Sequence, residues 1–329
     1  MKLVRPASAA DFVLAREASR DWRRYFELPL SALGQRYYAA VDAAASVGHS
    51  FAIEHQGRAL CMVFCMSGPA RRLDCSGFPI EIQLRPNLAA HDARRAIREA
   101  LGEIVRLLRD EDIAAAELRT AAISDPDGMV ASALLSAGAT PRLEFRAEAD
   151  LAPGDDDLAA DLRHGHRQQV RWGRTHLRLV HVDAGDPDRQ GFDRIRALHA
   201  EVAGRVTRPS ESWQAMLEFI VQGQGAAILG LLGEELVAAN IVLDAGHTAY
   251  YASGVYRREH FDKPLAHHCL FAAILRARQR GRRFFDLGAV ALPGEGACAK
   301  LQSIGYFKRG FTSRVVSSTC WRLEPRGRA

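Results

Sequence analysis

The sequence lacks the features of a membrane-spanning or exported protein. Its 329 residues contain no apolar run of about 18 residues or more, so no transmembrane helix is expected. The start, MKLVRPASAADF, has no apolar core segment and reaches an acid already at Asp11, which argues against a signal peptide. These absences predict a cytoplasmic protein.

Motifs for metals, disulfides and nucleotides are also missing. The six cysteines form no Cys-x-x-Cys pair, which indicates reduced and mostly buried thiols. His164 and His166 have no cysteine or acid at metal-ligand spacing, so no metal is expected. No GxGxxG occurs, and the glycine-rich run before Lys300 has neither the spacing of a P-loop nor a following Ser or Thr.

The composition that is present is that of a globular protein with a modest excess of cations. Hydrophobic residues make up 48% and charged residues 25% of the chain. The formal charge of +5 suits a polyanionic ligand such as a nucleotide, CoA, a phosphosugar or tRNA, without requiring one. The acidic run Pro153–Asp157 predicts a boundary between a domain of residues 1–152 and one of residues 153–329. We expect no DNA partner, and either a monomer or a homodimer.

Hydrophobic periodicity predicts an α/β (α+β) chain in which the two halves share one order of elements. Each half reads as a hairpin, a strand, a long helix, a strand, a short helix, a glycine and a last strand. Leu134–Ala139 in the first half corresponds to Leu301–Tyr306 in the second. Further helices are predicted over Ser8–Phe26 and Leu30–Ala45, and one continuous basic helix over Leu158–Trp172.

The stretch from Tyr250 to Phe311 carries the strongest chemical signal. It reads as strand, basic loop, helix, strand, glycine-rich loop, short helix and strand. A helix N-terminus offers free N–H groups and a partial positive charge. Together with the preceding cations, it would form a binding site for a pyrophosphate or another anion. The alternative is a solvated basic loop. The predicted cofactor-binding residues are Arg257, Arg258, Lys263, Leu265 and Ala266.

Other side chains of this stretch are candidates for catalysis. Asp286 ends a strand, where it can accept an amine proton or simply cap the loop that follows. Tyr251, Ser253 and Tyr256 are expected on one strand face, as proton donors to a leaving group or as an ordinary polar face. His267 falls in the first turn of a helix, where the helix dipole disfavours the imidazolium and leaves either a neutral base or a packed histidine.

The basic helix and a later loop offer candidates for binding the substrate. Arg167 and Arg171 can bind a phosphate through bidentate hydrogen bonds, and Trp172 can stack on a sugar or base. The alternative is a solvated helix face with Trp172 in the domain seam. Arg205 lies with Arg208 on a short loop between helices, which is expected to cover a cleft.

The order of these elements resembles the GNAT acyltransferase fold. Two such halves, the second with FDLG at 285–288 and GYFKRGF at 305–311, resemble the FemAB family of aminoacyl and acyl transferases, and the basic run at 162–177 is similar to a helix of that family. The resemblance implies two tandem GNAT-like domains, each a mixed and mostly antiparallel sheet flanked by helices, with a degenerate first domain and a catalytic second one. Lys308 matches the lysine of the family's Phe-Lys motif, which implies a catalytic or phosphate-contacting cation.

The resemblance also implies a reaction class, the direct transfer of an acyl or aminoacyl group to an amine. The leading hypothesis is an N-acyltransferase that uses acyl-CoA and acts on an amino sugar or another amine of a cell-envelope or polysaccharide precursor. The rival is an aminoacyl-tRNA-dependent transferase acting on a peptidoglycan precursor or a small natural product. A third hypothesis, from another class, is a non-catalytic GNAT-like module that binds an acidic partner.

Overall fold

The computed structural model describes residues 1–5, 34, 36–37, 40, 47–68, 70–75, 77–85, 87–121, 125, 127–291 and 297–325. The helices predicted over 8–26 and 30–45 fall almost wholly outside these residues. The chain forms two compact units, Met1–Glu144 with Ser317–Ala329, and Phe145–Val316. The predicted mixed α/β class is confirmed.

The described elements alternate between short strands and helices. The strands are β1 (Lys2–Val4), β2 (Val47–Gly48), β3 (Phe51–His55), β4 (Arg58–Val63), β5 (Met66–Ser67), β6 (Arg72–Asp74), β7 (Ile82–Leu84), β8 (Ala115–Ala121), β9 (Thr140–Asp150), β10 (Arg178–Val182), β11 (Gly225–Leu232), β12 (Glu235–Ala245), β13 (Thr248–Tyr256), β14 (Phe284–Ala289) and β15 (Val315–Leu323). The helices are α1 (Ala90–Asp110), α2 (Met129–Ser136), α3 (Asp155–Asp161), α4 (His164–His176), α5 (Arg189–Ala203), α6 (Ser210–Val221), α7 (Leu265–Gln279) and α8 (Ala299–Lys308).

The first unit is built around α1. An antiparallel sheet with the order β1-β3-β4-β7 contacts this helix, whose Ile97, Ile104 and Leu107 are buried in a core shared with β3, β4 and β7. A second group has the order β8-β6-β5-β2, in which β6 and β8 are parallel. The antiparallel partner of β8 on its other side is β15. The apolar periodicity of α1 was therefore a reliable guide to this core.

The second unit is built on a sheet with the order β10-β11-β12-β13-β14-β9. Neighbouring strands are antiparallel except for β13 and β14, which run parallel. Helix α7 lies on β11 and β12 and also contacts α4, while α5 and α6 contact β11 and β12 as well. The consecutive antiparallel strands β11, β12 and β13 form a meander in the middle of this sheet.

Helix α7 is the central helix of the second unit. It starts directly after Pro264 and ends before Gly281, whose φ of +76° favours glycine. Its buried residues include Cys269 and Ile274. A Cβ at Gly230 of β11 would lie 2.6 Å from the Cys269 sulfur, so this glycine lets the helix approach the sheet closely.

The prediction of one continuous helix over Leu158–Trp172 is wrong. The chain forms α3 and then α4, separated by Leu162 and Arg163 in extended conformations with ψ of 135° and 145°. Two tertiary contacts explain the break, because Leu162 is buried in the core and the Arg163 N–H donates to the carbonyl of Gly310 at 3.0 Å. The break creates a helix start at α4 that the periodicity did not indicate.

Candidate active site

A cleft opens where β13 and β14 separate. The two strands pair only at Thr248 with Phe284, Ala249 with Phe285 and Tyr250 with Asp286. Each strand also carries an irregularity near that point: Ala252 has no partner on β12, and Leu287 has none on β9. Bulges of this kind bend a strand away from its neighbour. Among the described residues, the edge of β13 beyond Tyr250 therefore has no strand partner on the β14 side.

Lys308 of α8 lies at the point where the strands separate. Its ammonium donates to the carbonyl of Ala289 at 3.1 Å. A Cβ at Gly288 would lie 2.9 Å from the Lys308 Nζ, and Gly288 itself has a φ of +89°. Burial lowers the pKa of Lys308, and the nearby Asp286 carboxylate opposes this shift. The predicted catalytic cation is thus a partly desolvated ammonium held at the end of β14.

Asp286 lies close by, but its carboxylate is already engaged. Arg146 of β9 donates to Oδ2 from Nε at 3.0 Å, and the Gly288 N–H donates to Oδ1 at 2.6 Å. The carboxylate is buried and forms an ion pair with Arg146. This arrangement shapes the bend after β14. The role of Asp286 as a base stays a prediction. Arg146 was missed because it is 140 residues away in sequence and carries no local signal.

The prediction that Tyr251, Ser253 and Tyr256 share one strand face is wrong. The bulge at Ala252 shifts the alternation, so that Tyr251 and Tyr256 both lie on the face of Asn240 and their hydroxyls are 2.7 Å apart. Burial raises the pKa of Tyr251 to about 12 and that of Tyr256 well above its usual value. Ser253 faces the opposite side, where it accepts a hydrogen bond from Arg208 at 3.1 Å.

His267 belongs to a buried aromatic cluster formed by α4, α7 and α8. Its ring centroid is 4.6 Å from that of His166 and 5.2 Å from that of Phe307, and Phe311 packs against both histidines. Burial lowers the pKa of His267 to about 4, and the neighbouring His166 ring adds to this shift. The imidazole is therefore neutral at physiological pH, and the cause is burial, whereas the sequence analysis relied on the helix dipole.

The cations of the predicted cofactor-binding loop are largely neutralised by carboxylates of α5, of β12 and of the loop itself. Arg257 forms ion pairs with Glu201 and Glu235, and Lys263 pairs with Asp262 at 2.9 Å. Arg258 is exposed at the start of a short 3₁₀ helix, Leu265 is buried and Ala266 is half-buried at the start of α7. The loop and the helix start are where the sequence predicted them, but only one of the three cations lacks a carboxylate partner in this described segment.

The predicted substrate-binding residues do not converge on one point. Arg167 donates to the carbonyls of Ala160 and Leu162 and so braces the break between α3 and α4. The ring of Trp172 stacks on that of His176, with centroids 4.5 Å apart and planes at 8°. Arg171 and Arg205 are exposed.

Arg208 reaches closer to the cleft than the neighbouring Arg205. Its guanidinium lies over the Trp213 ring at 5.6 Å, in addition to its hydrogen bond to Ser253 on β13. Within the described residues of the chain, it has no carboxylate partner. The sequence indicated a loop covering the cleft here, but it did not distinguish the two arginines.

The described residues contain no group of three or more His, Cys, Asp or Glu side chains that could hold a metal ion. They also contain no helix that is both long and apolar enough to cross a membrane.

The comparisons with known proteins concern the second unit and the fold of the whole chain. The family model described as "Acetyltransferase (GNAT) domain" matches residues 160–297. Among solved structures, FemX is similar with a TM-score of 0.67 and 12% identity, over 98% of this chain and 97% of that one. The C-terminal domain of a putative lysylphosphatidylglycerol synthetase from Agrobacterium fabrum is similar with a TM-score of 0.58 and 13% identity, over 97% and 93%.

A third structure and one negative result complete the comparison. A tandem GNAT protein from the clavulanic acid biosynthesis pathway is similar with a TM-score of 0.55 and 16% identity, over 100% of this chain and 99% of that one. No curated protein matches the chain significantly. At these identities the solved structures show the fold, and they confirm the predicted tandem GNAT-like arrangement.

Proposed function

We propose an acyl-CoA-dependent N-acyltransferase, because residues 160–297 match the family model of the GNAT acetyltransferase domain and the chain is therefore an acyltransferase. The acceptor is the amine of an amino sugar or of another cell-envelope or polysaccharide precursor. The observation that carries the proposal is the separation of β13 and β14 with the Lys308 ammonium at its base. A cleft that joins an unpaired strand edge to a desolvated cation suits the attack of an amine on an activated carbonyl.

The donor is assigned from the free edge of β13. Beyond Tyr250 the backbone groups that point towards β14 have no strand partner in the part of the chain that the structure describes. An extended chain that contains amides can add to such an edge by main-chain hydrogen bonds. The pantetheine arm of CoA has this chemistry, whereas its diphosphate would lie near the start of α7 and Arg258, which is exposed.

The reaction needs no covalent enzyme intermediate. The amine nitrogen attacks the thioester carbon, and the carbonyl electrons move to the oxygen, which becomes an oxyanion. Lys308 is suited to stabilise this charge, because one of its N–H groups donates to Ala289 and the others have no hydrogen-bond acceptor among the described residues. When the intermediate collapses, the thiolate leaves, and the proton lost by the nitrogen ends on sulfur. The neutral ring of His267 is the candidate relay for that proton.

A second candidate function is aminoacyl transfer from tRNA to a peptidoglycan precursor or small natural product. The specific observation in its favour is the contrast between the paired cations of the cofactor loop, Arg257 and Lys263, and the exposed Arg171 and Arg174 of α4. In the described part of the chain neither α4 arginine forms an ion pair, so both are open to a polyanion. The name of the similar synthetase from Agrobacterium, which refers to a lysyl lipid, also favours this class.

Thermal stabilisation by candidate donors separates the two functions. A ligand that binds only the native state raises the melting temperature by mass action. We expect a rise with acetyl-CoA or a longer acyl-CoA that is reduced in Arg258→Ala and unchanged in the control Arg205→Ala. A rise only with intact aminoacyl-tRNA, lost in the double variant Arg171→Ala/Arg174→Ala and at moderate salt, would replace the proposal by aminoacyl transfer. No rise with any donor would leave the binding-module hypothesis.

A further inference from the structure

The backbone on both sides of Lys308 is held from outside its own helix. The start of α4 makes three hydrogen bonds to carbonyls at the end of α8: Arg163 N–H to Gly310 at 3.0 Å, Arg163 Nη1 to Tyr306 at 3.2 Å, and His166 Nε2 to Phe307 at 3.0 Å. The Arg163 guanidinium also lies 3.7 Å from the centroid of the Tyr306 ring. The carbonyls held in this way immediately precede Lys308 and follow it by two residues.

The two partners of His166 fix its protonation state. The Phe307 carbonyl can only accept a hydrogen bond, so Nε2 carries the proton and donates it. Arg163 Nη2 lies 3.2 Å from Nδ1, and a guanidinium can only donate, so Nδ1 must be unprotonated. Neutral His166 therefore makes both hydrogen bonds, and a second proton on the ring would face a cation.

The sequence around Lys308 makes room for this histidine. His166 is 4% exposed and lies against Gly310, where a Cβ would clash with the ring atoms of the histidine. Phe307 and Phe311 enclose the same ring, with centroid distances of 5.7 and 4.8 Å. A glycine at this place in the GYFKRGF run is explained by the approach of His166.

We propose that His166 is a positioning residue, which, with Arg163, fixes the end of α8 so that the Lys308 ammonium faces the cleft. The inference rests on the proposed function, because it assigns a means of placing the cation assumed there. His166 itself does not contact substrate. A displacement of the reacting geometry by about 1 Å can cost about 10²-fold in rate, so loss of this support should affect turnover more than binding.

The first test measures Lys308 directly and needs no substrate. The chain has only four lysines, Lys2, Lys263, Lys300 and Lys308, so a protein labelled with [ε-¹³C]lysine gives four side-chain signals, and Lys308→Arg assigns the one of interest. In the native protein its pKa is expected below the ordinary value, because the ammonium is partly buried. His166→Leu should move this pKa towards the ordinary value as the end of α8 loosens and the ammonium becomes hydrated. The other three signals should not change.

The second test uses turnover with the donor identified by thermal stabilisation. We expect His166→Leu to lower kcat about 10-fold to 100-fold and to leave KM within about 2-fold. His166→Gln, whose amide can donate to Phe307, should recover most of kcat. The matched control is His164→Gln, since this exposed histidine of the same helix contacts only Gln168 at 3.0 Å in the described structure.

The outcomes separate this inference from the proposed function. Full turnover in Lys308→Ala would overturn the proposed catalytic cleft. If Lys308→Ala is inactive, while His166→Leu keeps native kcat and an unchanged Lys308 pKa, the positioning role alone is overturned. Should His166→Leu fail to fold, Gly310→Ala tests the same contact from the α8 side. Native kcat and an unchanged Lys308 pKa in that variant would also overturn the inference.

Discussion

Each of the two units has a pair of neighbouring parallel strands, and the two pairs continue differently beyond their paired positions. In the first unit β6 and β8 pair at Arg72 with Ala115 and at Leu73 with Ala116. Beyond this pairing, the segment at Ile80 lies alongside β8. Ile80 donates to the Glu117 carbonyl at 2.7 Å and accepts from the Arg119 N–H at 2.7 Å. In the second unit β13 and β14 pair over three positions and then separate with no later segment between them in the described residues.

The difference supports the proposed place of the active cleft in the second unit. Buried backbone N–H and C=O groups are costly without partners, and in the first unit the segment at Ile80 supplies those partners from the protein. In the second unit no described segment pairs with the corresponding groups of β13 beyond Tyr250. A similar order of elements thus gives a closed half, in which another segment extends the strand pair, and an open half, in which none of the described residues does so. This agrees with the family match, which covers residues 160–297 only.

The largest effect is expected from removing the cation of the open cleft. Lys308→Ala should lower kcat by about 10²-fold to 10³-fold, the range found when one oxyanion donor is lost. KM for the donor and the melting temperature should change little, because the ammonium donates only to the Ala289 carbonyl. Steady-state kinetics with the identified donor, together with a thermal melt, checks both parts. A variant with native kcat would remove the main difference between the two units.

The closed half should respond in stability and not in turnover. Glu81 and Arg119 form an ion pair in the first unit, with side chains only 7% and 11% exposed. Glu81→Leu removes the carboxylate from this nearly buried ion pair, which should cost about 3 kcal/mol of unfolding free energy. Chemical denaturation measures this loss, and kcat of the folded protein should stay native. A matched change, Glu117→Leu on the neighbouring and more exposed pair with Arg322, should cost much less.

If fully folded Glu81→Leu had a lower kcat, this would contradict the view that only the second unit takes part in turnover. It would mean that the closed strand pair also takes part in turnover.

The second unit should also be the more sensitive to acid. Burial lowers the pKa of both His267 and His268 to about 4, and that of His166 is lowered as well. An unfolded histidine keeps its ordinary value of 6.5, so below that pH the unfolded state binds protons that the folded state does not. Stability is therefore complete above about pH 6.5, falls as the pH drops and levels off below about pH 4.

Hydrogen exchange at pH 7 and pH 5 locates this loss. After correction for the intrinsic rate, protection should fall in α4 and α7 and change less in α1 of the first unit. His267→Phe, which keeps the ring packing against Phe307 and Phe311, should flatten the dependence. Equal loss of protection in α1 would show that the buried histidines of the second unit are not the cause.

Much of the fold was predictable because its signals are local. The hairpin of β3 and β4, the long helix α1, the meander and α7 with Pro264 and Gly281 at its ends all follow from periodicity and turn residues. Lys308 was implied by resemblance, and the structure places it at the cleft. These features depend on residues that are close together in sequence.

The features that were not predicted depend on distant contacts. The break at Leu162 and Arg163 reflects burial and a hydrogen bond to Gly310, which no helical period reports. The bulge at Ala252 changes which side chains share a face of β13, and one extra residue leaves no trace in the alternation of apolar residues. The engagement of Asp286 by Arg146 likewise appears only when the strands are assembled.

The smallest effect is expected in the loop that looked most like an anion site in the sequence. Arg257 already pairs with Glu201 and Glu235, and exposed ion pairs contribute only about 0–1 kcal/mol. Arg257→Ala should therefore change donor affinity less than about 3-fold, which is under 1 kcal/mol. Arg258→Ala, which removes the neighbouring exposed cation, is the matched comparison and should lower the affinity for the donor more. Calorimetric titration measures this affinity. If Arg257→Ala lowered it tenfold or more, this arginine would have to leave its carboxylates to bind the donor. The loop would then belong to the open cleft.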